Sequence, residues 1–187
     1  MFRRSGMVVV SLVASLLSYS LVARGALRAS GNYSIHGTAA KKTVDVTGKG
    51  TFTVSDDGNN LVFTSLIGKG KPFFDMGDRQ SHARAKFNLN DASVLTLSVP
   101  KSAVKFPQPG QKTSGQATGK LKFAAGEQSV DIAYTARESG GKFVIESANF
   151  AFDYTKHRAE KEQICLAVIC VAEMIDIKVT NVTVDNH

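Results

Sequence analysis

Apolar and polar residues alternate along most of this chain. From Val44 to Val54 the even positions Val44, Val46, Gly48, Gly50, Phe52 and Val54 are apolar or glycine. The odd positions Asp45, Thr47, Lys49, Thr51 and Thr53 are polar. A period of two puts successive side chains on opposite faces of a strand and cannot make one face of a helix. The pattern returns at Gly115, Ala117, Gly119, Leu121 and Phe123, then at Val130, Ile132, Tyr134 and Ala136. It returns again at Ala148, Phe150, Phe152 and Tyr154, and at Ile175, Ile177 and Val179. Tyr33–Thr38, Leu61–Ile67 and Val94–Val99 are shorter candidates. Asp56-Asp57-Gly58-Asn59, Ala125-Gly126-Glu127 and Ser139-Gly140-Gly141 supply turns between runs.

Short strands joined by such turns pair antiparallel. About eight of them, each with one apolar face, predict an all-β barrel or sandwich. Gly48, Gly50, Gly115 and Gly119 sit on the inward face and favour the barrel, since glycine there allows sharp coiling or leaves volume inside. Phe52, Phe63, Phe73, Phe74, Phe123, Tyr134, Phe150 and Phe152 are then candidates to line a site for an apolar ligand. The alternative is that these rings fill a small core. The chain has no tryptophan, so any such site is lined from its 11 phenylalanines and four tyrosines.

Three stretches break the alternation. Gly68–Phe87 is rich in turn residues and bases and reads as a long loop or short helix near 70–86. His157–Ala172 starts charged and ends apolar. Residues 1–25 have Arg3 and Arg4, then an uncharged run from Met7 to Val22, then Ala23-Arg24-Gly25. That is the tripartite layout of a secretory signal peptide, with a cleavage site placed only approximately. Its 16-residue uncharged run is shorter than the roughly 20 residues of a comfortable membrane span, so the mature chain is expected to carry no stable span. Residues 26–187 then form a single domain.

The net charge of +7 over 187 residues invites a nucleic-acid reading. Removing residues 1–25 takes away three arginines and no acids, which lowers the charge to +4. The remaining lysines, Lys49, Lys120, Lys122 and Lys178 among them, are scattered over outward strand positions. A scattered solvated face on an exported protein does not point to nucleic acid. An outer-membrane barrel needs apolar outward faces, and the outward residues here are Thr, Lys and Asp.

The chain resembles the YceI-like family. Gly119-Lys-Leu-Lys-Phe-Ala-Ala-Gly126-Glu-Gln-Ser-Val130 is similar to the family's G-x-L-x-x-x-G-x-x-x-x-V, with one extra residue before the second glycine. Gly77-Asp-Arg79-Gln-Ser-His82-Ala-Arg84 resembles the family's T-G-x-x-x-R-D-x-H-L-x-S, with Arg79 and His82 three apart. Gln80 replaces the family's Asp, Ala83 its Leu, and the gap from glycine to arginine is shorter. Phe150–His157 lies where the family has a late aromatic strand. The similarity runs from about Tyr33 to Val184. It implies an exported, lipocalin-like barrel around a hydrophobic cavity, periplasmic or secreted, that binds a polyisoprenoid or another long-chain lipid and needs no other cofactor.

Arg79, His82 and Arg84, with Lys69 and Lys71 nearby, offer cations for an anionic headgroup. The alternative is a solvated loop, or Arg79 fastening that loop through Asp75 or Asp78. His36, His82, His157 and His187 show no metal-ligand spacing, so no metal is expected. No G-x-S-x-G elbow appears, and an enzyme is not expected. Cys165 and Cys170 lie five apart, too far for a bridge along a strand or a helix. A disulfide therefore requires a turn through Leu166–Ile169. Export favours the bridge, and a pair of small buried hydrophobes is the alternative. The expected function is a carrier of a hydrophobic small molecule. The competing reading is a structural or envelope-stress barrel filled by its own side chains, and a hydrolase ranks below both. Oligomeric state is open, a dimer included.

Overall fold

The alternating segments close into a barrel. A computed structural model of the chain describes residues 27–39, 44–67, 84–160, 163–166 and 169–186. In chain order the strands are β1 (Leu27–Ala39), β2 (Val44–Asp56), β3 (Asn60–Leu66), β4 (Val94–Pro100), β5 (Lys112–Phe123), β6 (Gly126–Ser139), β7 (Lys142–Asp153), β8 (Cys165–Leu166), β9 (Ile169–Cys170) and β10 (Met174–Asn186). Eight of them form a closed antiparallel barrel, ordered β1-β10-β7-β6-β5-β4-β3-β2. Each barrel strand pairs with its predecessor in the meander, and β10 closes onto β1. Closure pairs the first barrel strand with the last, so neither is left as a terminal edge strand.

The inward set is the one the alternation predicts. Phe52, Val54, Leu121, Phe123, Val130, Ile132, Tyr134, Phe150, Phe152, Ile175 and Ile177 are all buried. Two bulges change the parity along the way. The β6–β7 register shifts between Thr135↔Ser147 and Ala136↔Ile145. The β1–β10 register shifts between Ala29 and Tyr33, opposite a stretch of β10 where Asn181 has φ +53°. The extra residue turns Ile145 inward after Ala148, and Val182 and Val184 inward after Val179. Without the bulges, one apolar set in each strand would face water.

The two ends of the barrel differ. The β2–β3 turn, the β6–β7 turn and the β4–β5 connection lie at one end, hereafter the upper end. The β5–β6 turn and residues 154–160 lie at the lower end. There Phe87, Phe123, Phe152, Tyr154 and His157 form one aromatic cluster. Phe123 stacks on the His157 ring at 4.3 Å between centroids and lies 5.2 Å from Phe87 and 5.7 Å from Phe152. This cluster packs the lower end of the barrel. Among the described residues no helix is long and apolar enough to cross a membrane.

Cys165 and Cys170 are joined by a disulfide, with Cα atoms 4.0 Å apart. The turn that the bridge requires is a hairpin: β8 and β9 pair Cys165↔Cys170 and Leu166↔Ile169. Tyr154 fastens its base. The Tyr154 hydroxyl accepts the Ile164 N–H at 2.9 Å and donates to the Val171 carbonyl at 3.0 Å. The hairpin docks on the barrel through an Ala39↔Val171 bridge. The signal-peptide expectation falls on residues 1–25, and most of the expected loop or short helix near 70–86 falls on residues 68–83. Both lie outside the described residues. Residues 84–86 form one helical turn.

Candidate functional site: an apolar cavity beneath a strap

The upper half of the barrel holds a cavity of about 70 Å³. Leu61 and Phe63 of β3, Leu97 and Val99 of β4, Ala117 of β5, Ile132 and Tyr134 of β6, and Ala148 and Phe150 of β7 contribute to its wall. All but Tyr134 are hydrocarbon side chains. Such a lining favours apolar over polar groups. The volume is below the roughly 300–1,000 Å³ of ordinary small-molecule sites.

Residues 101–111 cross this end as a strap between β4 and β5. Val104 enters the cavity wall, and Phe106 packs on Phe143 at 5.4 Å. Three anchors hold the strap. At its start the Lys101 ammonium lies 2.7 Å from the buried Asp56 carboxylate, and the Lys101 N–H donates to the Asn59 carbonyl. In the middle the Lys105 N–H donates to the Tyr134 hydroxyl at 2.6 Å. At its end Glu138 accepts the Gly110 N–H at 2.6 Å and the Gly141 N–H at 2.5 Å. Those two backbone donors, Gly110 first, hold the Glu138 carboxyl below the usual glutamate range.

Three of the four inward glycines, Gly50, Gly115 and Gly119, leave no empty volume. Gly50 pairs with Tyr33 and Gly115 with Tyr134, and each tyrosine ring lies over its partner glycine. A Cβ on Gly115 would stand 2.6 Å from the Tyr134 hydroxyl. A Cβ on Gly119 would stand 2.9 Å from a Leu97 methyl. Gly48 is buried opposite Ile35. The space given up at Gly50, Gly115 and Gly119 is taken by neighbouring rings and methyls, which corrects the expectation that they make the cavity.

Of the candidate lining residues, Phe63, Tyr134 and Phe150 meet at the cavity. Phe123 and Phe152 instead belong to the lower aromatic cluster, because their strands carry them to the opposite end. Phe52 packs on Phe63 at 5.8 Å between centroids and covers Gly31. Phe73, Phe74, Arg79 and His82 lie outside the described residues. Arg84 is half-buried, and it brackets the undescribed stretch together with Ile67. Both bracketing residues stand at the lower end, away from the strap.

Buried polar groups sit below the cavity. Tyr33 and Ser65 share a hydroxyl hydrogen bond of 2.9 Å inside the barrel. Burial raises the Tyr33 phenol above its ordinary range, against the lowering effect of Ser65. His157 is fully buried. Its neighbour Gln128 is fixed by Asp153: the amide oxygen accepts the Asp153 N–H at 3.3 Å, and the amide nitrogen donates to the Asp153 carbonyl at 2.8 Å. The same amide nitrogen lies 2.6 Å from His157 Nε2, so Nε2 is an acceptor. Nδ1 then donates to the Phe123 and Gly126 carbonyls at 3.2 and 3.0 Å. The ring is held neutral, and burial pushes its pKa below the ordinary imidazole value. Both nitrogens are committed to structure.

Arg158 was not singled out by sequence. It is 3% exposed, and it donates to the Lys86 carbonyl at 3.2 Å and to Glu160 at 2.5 Å. It ties residues 84–86 to the lower end, the fastening role considered for Arg79. The strap was also missed. Its available signal was proline: Pro100, Pro107 and Pro109 are three of the chain's four. They mark a fixed connection, with apolar Ala103, Val104 and Phe106 between them. Among the described residues no cluster of three His, Cys, Asp or Glu side chains could hold a metal ion.

No protein-family profile matches the chain, and no curated protein does. Six chains of solved structures match. One is a polyisoprenoid binding domain from Saccharophagus degradans implicated in plant cell wall breakdown. It superposes with a TM-score of 0.66 at 9% sequence identity, over 86% of this chain and 98% of that one. The two share a fold, and it is the barrel that the resemblance to the YceI-like family implies.

Proposed function

We propose that this chain is an exported carrier that encloses a long apolar chain, of prenyl or fatty type, within the barrel. The observation that carries this reading is the apolar cavity beneath the strap, inside a fold shared with a polyisoprenoid binding domain. Burial of the chain supplies about 0.8 kcal/mol per methylene and calls for no specific polar contact. Residues 1–25 act as the export signal. The Cys165–Cys170 disulfide supports a location outside the reducing cytoplasm. The barrel's work is binding, not catalysis.

At about 70 Å³ the cavity is smaller than a long chain, which enters only if the wall or strap moves. The same small volume favours a second reading, a structural barrel filled by its own side chains. Native mass spectrometry of protein purified from its host separates the two. A co-purifying lipid mass, or uptake of an added prenyl or fatty chain at 1:1, supports the carrier. An empty protein that takes up neither chain overturns it.

A further inference from the structure

We propose that the strap of residues 101–111 is the lid of the cavity and that Tyr134 is its latch. The inference rests on the carrier reading and adds to it the route of entry and the residue that controls it.

The barrel wall is thinly paired beside the strap. β4 and β5 share only three paired positions, Thr96↔Lys122, Leu97↔Leu121 and Ser98↔Lys120. All three are in the lower part of β5, so the β5 stretch from Lys112 to Ala117 has no β4 partner. The strap runs in that gap. Its last residue joins the sheet, where the Glu138 N–H donates to the Gln111 carbonyl at 3.0 Å; from Lys101 to Gly110 no strand pairing holds it, and the three anchors and the packing of Val104 and Phe106 do. Two anchors are at its ends, on Asp56 and Glu138, and lie outside the cavity. The third is different in kind. Tyr134 lines the cavity, and its hydroxyl accepts the Lys105 N–H at mid-strap. A ligand chain that fills the cavity must press on the Tyr134 ring, so occupancy and strap position are mechanically joined at one side chain.

Gly115 makes the latch position available. It is the register partner of Tyr134, and the ring lies across the place where its side chain would be. Any larger residue at 115 displaces the hydroxyl from Lys105. With the latch broken, the strap remains tied at both ends and swings without leaving the barrel. Gly110, with φ +71°, is a ready hinge beside the Glu138 anchor.

The test uses the full chain and two variants, Tyr134→Phe and Gly115→Ala. Amide hydrogen exchange at Lys105 reports the latch without any ligand. In Tyr134→Phe it rises about two- to tenfold, the factor that one hydrogen bond of ordinary net strength supplies. Exchange at Leu97 and Ile132 stays at the wild-type rate and shows that the barrel is intact. Stopped-flow binding of a fluorescent polyene fatty acid reports entry. Association is faster in both variants by a similar factor, and dissociation accelerates with it. Wild-type exchange at Lys105 in Tyr134→Phe overturns the latch. So does faster exchange with unchanged association, which places entry elsewhere. If the wild type binds no probe while Lys105 exchange still rises, the carrier reading falls and the strap is a structural closure only.

Discussion

Tyr33 lies across Gly50, its register partner on the neighbouring strand, with the ring where a Gly50 side chain would project. Its hydroxyl reaches on to Ser65 on β3. One aromatic thus ties three strands on the inner wall. Gly50→Ala forces the ring off its seat, and overpacking of this kind costs about 1–3 kcal/mol. Tyr33→Phe keeps the ring and leaves the buried Ser65 hydroxyl without its phenol partner, at a cost of about 1–3 kcal/mol. Urea unfolding midpoints measure both. A Gly50→Ala protein as stable as wild type contradicts the seating.

His157 gives the fold a pH dependence of definite sign. Its folded pKa is lowered by burial, so the unfolded chain binds the proton more readily than the folded one. The contribution is fully present above the ordinary imidazole pKa of about 6.5 and is lost as pH falls below it toward the lowered folded value. Unfolding midpoints taken from about pH 8 to pH 5 are expected to be level and then to decline. His157→Gln removes the imidazole's share of that decline while lowering stability throughout. A variant with the wild-type slope places the proton uptake elsewhere.

The disulfide closes a six-residue ring, Cys165 to Cys170. Loop-entropy reasoning assigns about 2 kcal/mol to so short a ring. Thiol titration of the unreduced, denatured protein is expected to find no free cysteine at these positions, and two after reduction. Reduction lowers the melting temperature by a few degrees without unfolding the barrel. Hydrogen exchange then rises at Ile164 and Val171, the residues that Tyr154 clamps.

Ala117 faces the cavity from β5. Ala117→Leu places three more carbons in that space. The variant is expected to melt within a few degrees of wild type and to bind a prenyl or fatty probe at least about tenfold more weakly. That combination separates loss of the site from loss of the fold. A variant with undiminished probe binding shows that the ligand does not use this cavity.

The sequence by itself determined the all-β class and, over the alternating runs, the strands and their inward faces, because alternation is a local property. Val44–Val54 has one face whatever it packs against. It also determined that a Cys165–Cys170 bridge needs a turn, since chain geometry alone forbids it along a regular element. What the tertiary structure decided were contacts between residues remote in sequence. The bulges that turn Ile145 and Val182 inward answer to the registers of neighbouring strands, and no local signal marks them. Phe123 and Phe150 look alike in sequence, yet one stacks on His157 at the lower end and the other lines the cavity at mid-barrel, because strand direction and register set their height. Inward glycine is equally silent in sequence: it leaves either a void or a seat for a ring. Only the pairing of Gly50 with Tyr33 and Gly115 with Tyr134 decides for the seat, because a tyrosine on the neighbouring strand is long enough to occupy the space that the glycine vacates.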